Sequence, residues 1–381
     1  MCKTTATASG PLVTYGKFSH TLPTDRRKRQ DENRVYRHAL LSKMQSGLLE
    51  NRGARACIRC RKNQANPVTI ERVRRPDGTI VAFYGNVQKC GSVWLCPVCS
   101  NKIRGVRAKE MTAALSRHID SGRGALASIL TVSHHRGNTL AGTLTDFKSA
   151  WGRMTRHRYF KAWRERHGVI GYIKSLEVTH GQNGGWHPHF HFIWLTKEPI
   201  DKYARHAMET DLFAIWSKYV TNHTDRSVTR QANGIEQIKS GQAIGRYLAK
   251  TIAYELTHGH MKKGKKAAQR TPFQIADDYF QTGDAADEAL WREYEQAIKG
   301  EHFITWSPSL RDLRTDARTD LEIVEGEVKG ERLEPFHLPE VYRANGHQTS
   351  LHRGGLLNTA QNDTLDAVRI QVEEIISRQD E

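Results

Sequence analysis

The 381-residue sequence has no apolar run of the roughly 18 residues that a membrane-spanning helix needs. Its first ten residues lack the hydrophobic segment of a secretory signal peptide. We therefore expect a cytoplasmic protein without a membrane partner, whose cysteines stay reduced. The sequence also lacks GxxxxGK[ST], typical of ATP-hydrolysing enzymes, and HExxH, typical of zinc proteases. These absences argue against a built-in helicase and against a protease of that class.

Acidic residues are scarce in most of the chain. The sequence has 58 Lys and Arg against 41 Asp and Glu, a net charge of +17. Residues 1–310 carry 49 basic and 26 acidic residues, whereas residues 311–381 carry 9 and 15. The basic excess favours a polyanionic partner such as DNA, because Lys and Arg neutralise phosphates and release counterions. We expect the basic body and the acidic C-terminal segment to be separate units.

Charge and cysteine content predict four segments. They are a basic arm at residues 1–50, a zinc-binding module at 51–105, a main domain at 106–310 and an acidic tail at 311–381.

The local patterns predict an α+β fold. A turn signal at Pro76-Asp77-Gly78 lies between two β-branched runs and predicts a hairpin. Strand patterns follow at residues 126–133, 169–179 and 187–195, and helical patterns at 101–120, 143–166, 202–219 and 241–257. This mixture is typical of an antiparallel sheet whose strands are joined by crossover helices.

The cysteines are paired in the sequence. Cys57 and Cys60 form one CxxC motif, Cys96 and Cys99 form another, and 35 residues separate the motifs. Each motif can supply two thiolate ligands, so the pattern indicates a tetrahedral structural Zn²⁺ site. Cys90 is a fifth candidate that could replace one ligand. Free buried thiols are the alternative, but they leave the paired spacing unexplained.

Three histidines alternate along the predicted strand that ends at residue 195. Because side chains alternate between faces, His187, His189 and His191 point one way, and aromatic residues point towards a helix layer on the other. Three imidazoles on one face indicate a metal site. Glu177, on the preceding strand, reaches the same face if the two strands pair; otherwise it is an exposed carboxylate. A carboxylate ligand suits Mg²⁺ or Mn²⁺.

A predicted helix further along carries two tyrosines. Tyr247, Lys250 and Tyr254 stand at i, i+3 and i+7, on one helix face. A phenol with a pKa of about 10 is a poor nucleophile until a cation or a held phosphate polarises it. Tyr-x-x-Lys is common on helix surfaces, so the motif gains meaning only beside the histidine strand.

His-Phe-His on a strand, followed by Tyr-x-x-Lys on a helix, resembles the HUH endonucleases and, among them, the plasmid rolling-circle replication initiators. The likeness spans roughly residues 57–255 and includes residues 90–100, 129–133 and 246–250. It implies an HUH nickase-like fold that follows the zinc module, in the cytoplasm of a prokaryotic cell. It also implies single-stranded origin DNA, a host helicase and a DNA polymerase as partners.

The resemblance gives each matched residue of the metal motif and the helix a role. His189 and His191 would bind the catalytic ion with Glu177 as third ligand, and His187 would be an accessory residue. Tyr247 would attack the scissile phosphate, remain linked to the 5′ phosphate and leave a free 3′ hydroxyl.

Lys250 would assist the attack or hold the phosphate. One position departs from the family pattern. Some members carry Glu one turn before the tyrosine, where it helps a water to end the cycle, and this chain has Ala243. Tyr254 could act instead as a second nucleophile, with a packing or surface role as the alternative.

The sequence predicts an initiator that nicks one strand at a plasmid origin and later rejoins strands. An HUH transposase or a mobilisation relaxase would use the same chemistry, and some such transposases also pair cysteines with the histidine strand. A zinc-bearing DNA-binding regulator without catalysis is an alternative of another class. The presence of His189, His191 and Tyr247 argues against the regulator.

Overall fold

A computed structural model describes residues 26–238, 269–340 and 351–378 of the protein. The described helices are α1 Arg26–Gly47, α2 Arg52–Ala56, α3 Pro97–Asp120, α4 Leu140–Arg156, α5 Arg158–Arg166, α6 Lys202–His223, α7 Pro272–Thr282, α8 Ala285–Ala297, α9 Asp320–Glu325, α10 Arg353–Asn362 and α11 Leu365–Ser377. Two short 3₁₀ turns lie at Arg230–Ala232 and Pro308–Leu313.

The described strands form two antiparallel sheets, so the fold is α+β as predicted. The strands are β1 Thr69–Arg74, β2 Ile80–Gly85, β3 Gly124–Leu130, β4 Val169–Gly181, β5 Gly185–Thr196, β6 Ile235–Gln237, β7 Gln269–Arg270, β8 Ile304–Trp306 and β9 Glu331–His337. One sheet has the order β2-β1-β9, and the other has the order β6-β3-β5-β4-β7 with β8 also paired to β4.

Residue contacts divide the chain into two compact units, with the boundary inside α3. Unit 1 contains residues up to Lys102 and residues from Thr319 onward, and unit 2 contains Ile103–Arg318. Among the described residues, no helix has both the length and the apolar character that crossing a membrane requires.

The larger sheet of unit 2 has an aromatic face that is covered by helices. Phe190, Phe192 and Trp194 alternate on β5 and are almost fully buried. The ring of Phe147 on α4 stacks on Phe190 with centroids 3.7 Å apart, and Trp151 lies 4.6 Å from Phe192. Burial of each such side chain contributes about 1.5–3 kcal/mol. This packing fixes which face of β5 points inward, and so it leaves the alternate histidines on the other face.

The helical pattern predicted at residues 143–166 is two helices in the structure. Helix α4 ends at Arg156, and α5 begins at Arg158. His157, between them, has extended backbone angles, and its Nδ1 accepts a hydrogen bond from the Tyr159 N–H. The break therefore comes from a capping side chain, a feature that apolar spacing does not reveal.

Unit 1 contains segments that composition alone assigned to an arm and a tail. Helix α1 buries Leu40, Leu41 and Met44, and β9 pairs with β1 over Thr69–Arg74. Gly354 on α10 lies so close to α1 that a Cβ would come 2.5 Å from the Val35 Cα. The structure thus places residues 26–47, 331–337, 353–362 and 365–377 in helices and a strand of a folded unit. These weakly patterned segments are folded because they bury apolar residues against other parts of unit 1.

Leu356 tests whether the C-terminal segment is part of unit 1. Its side chain is fully buried, and Leu356→Ala should lower the free energy of unfolding by about 2–5 kcal/mol. Ile370 on α11 is 57% exposed, so Ile370→Ala should change it by less than about 0.5 kcal/mol. Thermal or urea unfolding of both variants measures the difference. Equal stability of the two variants would mean that the segment is a tail.

Candidate metal centres

Four cysteine sulfurs lie together in unit 1. The Sγ atoms of Cys57, Cys90, Cys96 and Cys99 all lie within 4.8 Å of one another. The Cys57 and Cys99 sulfurs are 3.5 Å apart, those of Cys90 and Cys99 3.7 Å, and those of Cys57 and Cys96 3.8 Å. Four sulfurs about 2.3 Å from a central zinc ion would be about 3.8 Å apart, so this cysteine cluster fits a tetrahedral ion.

Backbone pairing explains why Cys90 belongs to the cluster. The Ile58 N–H donates to the Gln88 carbonyl at 2.8 Å, and the Gln88 N–H donates to the Cys60 carbonyl at 2.9 Å. This antiparallel pairing brings Cys90, two residues after Gln88, next to Cys57. Ile58 adopts a φ of 60°, which is rare for a β-branched residue and makes the tight turn after Cys57.

Cys60 lies outside the cluster. It is buried, but the ligand position that the CxxC spacing gave to it is occupied by Cys90. The residue after Cys90 is Gly91, which has a φ of +62°. A Cβ at this position would lie only 3.0 Å from the Leu321 Cα, so glycine allows the two backbone segments to approach closely. The first turn of α3 adds Cys99, whose N–H points to the Cys96 sulfur at 3.4 Å.

The crowded thiols favour one thiolate and resist further ionisation. Hydrogen bonds from Cys57 and Cys90 lower the pKa of Cys99. Burial and hydrogen bonding with Cys57 raise the pKa of Cys96 well above its usual range. Several negative sulfurs in one buried place repel each other, so a full set of thiolates needs a cation at the centre. The donor set suits a soft divalent ion such as zinc.

A second cluster lies on the larger sheet of unit 2. Strands β4 and β5 form a hairpin in which Glu177 stands opposite His189 and Ser175 opposite His191. Directly opposed side chains lie on the same face, so this register confirms that Glu177 shares the histidine face. One ligand atom from each of Glu177, His189 and His191 lies within 4.8 Å of the other two.

The contacts in this carboxylate–histidine cluster leave one donor atom unused. The Nε2 of His191 lies 2.7 Å from the Glu177 Oε2. The Nε2 of His189 is buried and has no hydrogen-bond partner within the described part of the chain. A buried, unpaired nitrogen costs about 1–3 kcal/mol, and a bound cation would remove that cost. A divalent ion about 2.1 Å from each donor holds neighbouring donors about 3 Å apart, which agrees with the Glu177–His191 spacing.

The protonation states also suit metal binding. Burial lowers the pKa of His189 to about 4, although the charge of Glu177 opposes the shift. Burial acts to raise the pKa of Glu177, but the hydrogen bond with His191 and the charges of His191, His189 and Arg104 lower it overall. At neutral pH His189 therefore offers a lone pair and Glu177 a negative charge, which are the forms that bind a cation.

His187 lies beside the cluster but is not part of it. Its Nδ1 lies 3.2 Å from the Nε2 of Gln269 on β7, and its ring lies 4.1 Å from that of His134. Burial, with the charges of His189 and His134, lowers its pKa to about 3. The alternation along the strand cannot distinguish His187 from His189 and His191. The contacts of its ring in the structure make the distinction.

Several residues beside this site belong to no motif recognised in the sequence. Arg104 on α3 is buried, lies 4.3 Å over the Phe303 ring and helps to keep Glu177 ionised. Gln269 and His134 flank His187 from other segments. Two adjacent histidines at 134 and 135 were a visible signal, whereas nothing in the local sequence marks Gln269 or Arg104. Tyr247, Lys250, Tyr254 and Ala243 lie outside the described residues.

A family model described as "Replication protein" matches residues 83–349, which is more than half of the chain. A "Protein rep" of Streptomyces lividans is 26% identical over 305 residues, which cover 62% of this chain and 65% of that relative. A "Protein rep" of Streptococcus pneumoniae is 28% identical over 134 residues, covering 34% of this chain and 39% of the relative.

A protein of Streptomyces cyanogenus named "Neomycin resistance protein" is 33% identical over 146 residues, covering 32% of this chain and 33% of the relative. The chain therefore spans less than two thirds of the length of each of these curated relatives. No solved structure matches the chain.

The cysteine cluster predicts which cysteine the metal needs. Cys90→Ser should lower the zinc content of the purified protein and its thermal stability, because it removes one of the four neighbouring sulfurs. Cys60→Ser, a matched change three residues from Cys57, should keep its zinc. Elemental analysis of both variants measures this. Loss of zinc from Cys60→Ser together with full retention by Cys90→Ser would overturn the assignment.

The carboxylate–histidine cluster predicts a similar contrast on β5. His189→Ala should weaken Mn²⁺ binding at least about tenfold, because it removes a donor of the cluster. His187→Ala, on the same strand and face, should bind Mn²⁺ nearly as the unaltered protein does, since its ring contacts Gln269 and His134. Calorimetric titration with Mn²⁺ at neutral pH compares them. An equal loss of Mn²⁺ affinity in both variants would contradict the assignment of the cluster to Glu177, His189 and His191.

Proposed function

The chain belongs to the replication protein family, and from this premise we propose that it initiates plasmid replication by nicking one DNA strand at the origin. In this proposal unit 2 is an HUH-type nickase, a divalent Mg²⁺ or Mn²⁺ ion serves catalysis, and Zn²⁺ at the cysteine cluster serves structure. The DNA substrate is the single-stranded origin.

The observation that carries the proposal is the register of β4 and β5. It gathers Glu177, His189 and His191 at one place on a sheet face, with a buried imidazole nitrogen unpaired in the described structure. A metal held there would, when bound, supply positive charge that polarises a scissile phosphate. The helices that cover the opposite face make the sheet a rigid support for these ligands.

The chain's own residues have distinct tasks in the nicking step. Glu177, His189 and His191 would hold the ion. At neutral pH Glu177 is ionised and His189 is neutral, which are the forms that bind a cation. The Tyr247 oxygen attacks phosphorus and forms a new P–O bond, its proton passing to a nearby base. The bond from phosphorus to the 3′ oxygen breaks, and that oxygen takes up a proton. Lys250 stabilises the negative phosphate during the exchange.

The products suit an initiator. The 3′ hydroxyl can be extended by a host DNA polymerase while a host helicase separates the strands, since the sequence contains no GxxxxGK[ST] loop. The phosphotyrosine bond keeps the 5′ end for later rejoining. Because Ala243 cannot activate a water, we propose that Tyr254 performs the second transfer.

The cysteine cluster has a structural task in this proposal. A bound zinc ion would join the segment after α2, the β2–α3 connection and the first turn of α3, which contribute Cys57, Cys90 and Cys99. Such an ion contributes folding free energy and takes no part in phosphate chemistry. Zinc removal should therefore destabilise unit 1.

The nucleophile is tested by a matched pair of tyrosine variants. With single-stranded origin DNA and Mn²⁺, Tyr247→Phe should bind DNA normally but form neither nick nor covalent adduct, since phosphate contacts carry most affinity. Tyr254→Phe should still nick and should lose rejoining.

The adducts are measured by denaturing gel, and the linked peptide is identified by mass spectrometry. Attachment at Tyr254 would reverse the two roles. No adduct with the unaltered protein, on DNA from both origin strands, would refute the proposed function.

A further inference from the structure

The outer surface of the helix layer in unit 2 is rich in cations and poor in carboxylates. Residues 147–164, which run from α4 into α5, contain six Lys or Arg and no Asp or Glu. The second half of α6, residues 212–223, also has no acidic residue. Surface helices of a globular protein ordinarily carry both signs of charge, so this acid-free stretch points to a polyanionic partner.

Contacts of one exposed tyrosine join α5 to α6. Tyr159 on α5 is 43% exposed. The Arg158 guanidinium lies 5.4 Å and the Lys218 ammonium 5.2 Å from the centre of its ring. His157 lies 4.7 Å from the same ring and 5.7 Å from the ring of Tyr219 on α6. Arg158 and Lys218 together lower the pKa of Tyr159, which agrees with two cations held close to the phenol.

Carboxylates of the described residues do not neutralise the cations of this patch. Five exposed side chains form no ion pair with any carboxylate in the described part of the chain: Arg153, Arg156, Arg158, Lys161 and Lys218. Other cations nearby do have acidic partners, which shows that carboxylates are within reach of these helices. Arg166 on α5 pairs with Asp211, and Arg226 pairs with Asp146.

This patch is on the opposite side of the sheet from Glu177, His189 and His191. The inner sides of α4 and α5 pack on the aromatic face of β5, through Phe147 on Phe190 and Trp163 against Trp194. The histidines point away from that face. The nucleotides of a DNA strand that is cleaved at the metal cluster therefore cannot also contact these cations.

We propose that Arg153, Arg156, Arg158, Lys161 and Lys218 form a second DNA-contacting surface that holds the phosphate backbone of duplex DNA beside the nick. Tyr159 is the positioning residue, because Arg158 and Lys218 both contact its ring, and this contact limits the conformations of their side chains. The surface would not read bases. It would add affinity without sequence preference and would release about one counterion for each phosphate that it neutralises.

The test measures how binding depends on salt. For a duplex carrying the origin sequence, the double variant Arg158→Gln/Lys218→Gln should bind more weakly. Its slope of log affinity against log salt should be shallower by about 2, because each lost phosphate contact contributes about 0.9. Tyr159→Ala should give a smaller loss, and Tyr159→Phe should restore the affinity because the ring remains.

Arg166→Gln is the matched control, since it removes a cation from the same helix that Asp211 already neutralises. It should leave the slope almost unchanged. The double variant should also nick a short single-stranded oligonucleotide at the normal rate, because the metal cluster is on the other side of the sheet. An unchanged salt slope in a folded double variant, or an equal change in Arg166→Gln, would overturn the proposal.

This inference rests on the proposed function only in taking DNA as the partner. Failure of the unaltered protein to nick would refute the nickase and leave the duplex-binding result standing. Normal nicking with an unaltered salt slope in the double variant would refute the second surface alone.

Discussion

The antiparallel register of β4 and β5 is the constraint on which the site depends. Glu177 stands opposite His189 in this register, and each opposed pair shares a face of the sheet. A shift by one residue would move the carboxylate to the aromatic side, where Phe147 and Trp151 already fill the space. The aromatic packing therefore stabilises the arrangement of Glu177, His189 and His191 indirectly, because any other register would disrupt that packing.

In the described part of the chain, each unit contains one cluster of potential metal ligands, and the two clusters differ in chemistry. The cysteine cluster of unit 1 consists of soft sulfur donors that are buried or nearly so, a set typical of a closed structural site. The cluster of unit 2 mixes one carboxylate with two imidazoles and keeps part of Glu177 exposed. A site with open positions can admit a phosphate, whereas a closed one cannot. This contrast is the physical basis for proposing a structural ion in unit 1 and a catalytic ion in unit 2.

Alternation along β5 and the hairpin with β4 were predictable, because a period of two is a local signal and adjacent strands usually pair. The α+β class followed from the same patterns. The sequence offered Cys90 as a possible replacement for one of the four cysteines. It could not show that the replaced residue is Cys60, since this depends on the backbone pairing of Ile58 and Cys60 with Gln88. Strand β9 and helix α1 were missed because each is held by a segment far away in the sequence: β9 pairs with β1, and α1 packs against α10. Arg104 and Gln269 reach the histidine face from distant segments that carry no motif.

The central claim is that one divalent ion binds to Glu177, His189 and His191. Pulsed electron paramagnetic resonance of the protein loaded with Mn²⁺, with ¹⁵N confined to histidine, tests it directly. The account predicts coupling to two histidine nitrogens, one of which disappears in His189→Ala and the other in His191→Ala, while Glu177→Gln retains both but weakens binding. Bound Mn²⁺ without histidine coupling, or with both couplings retained in either histidine variant, would contradict the claim.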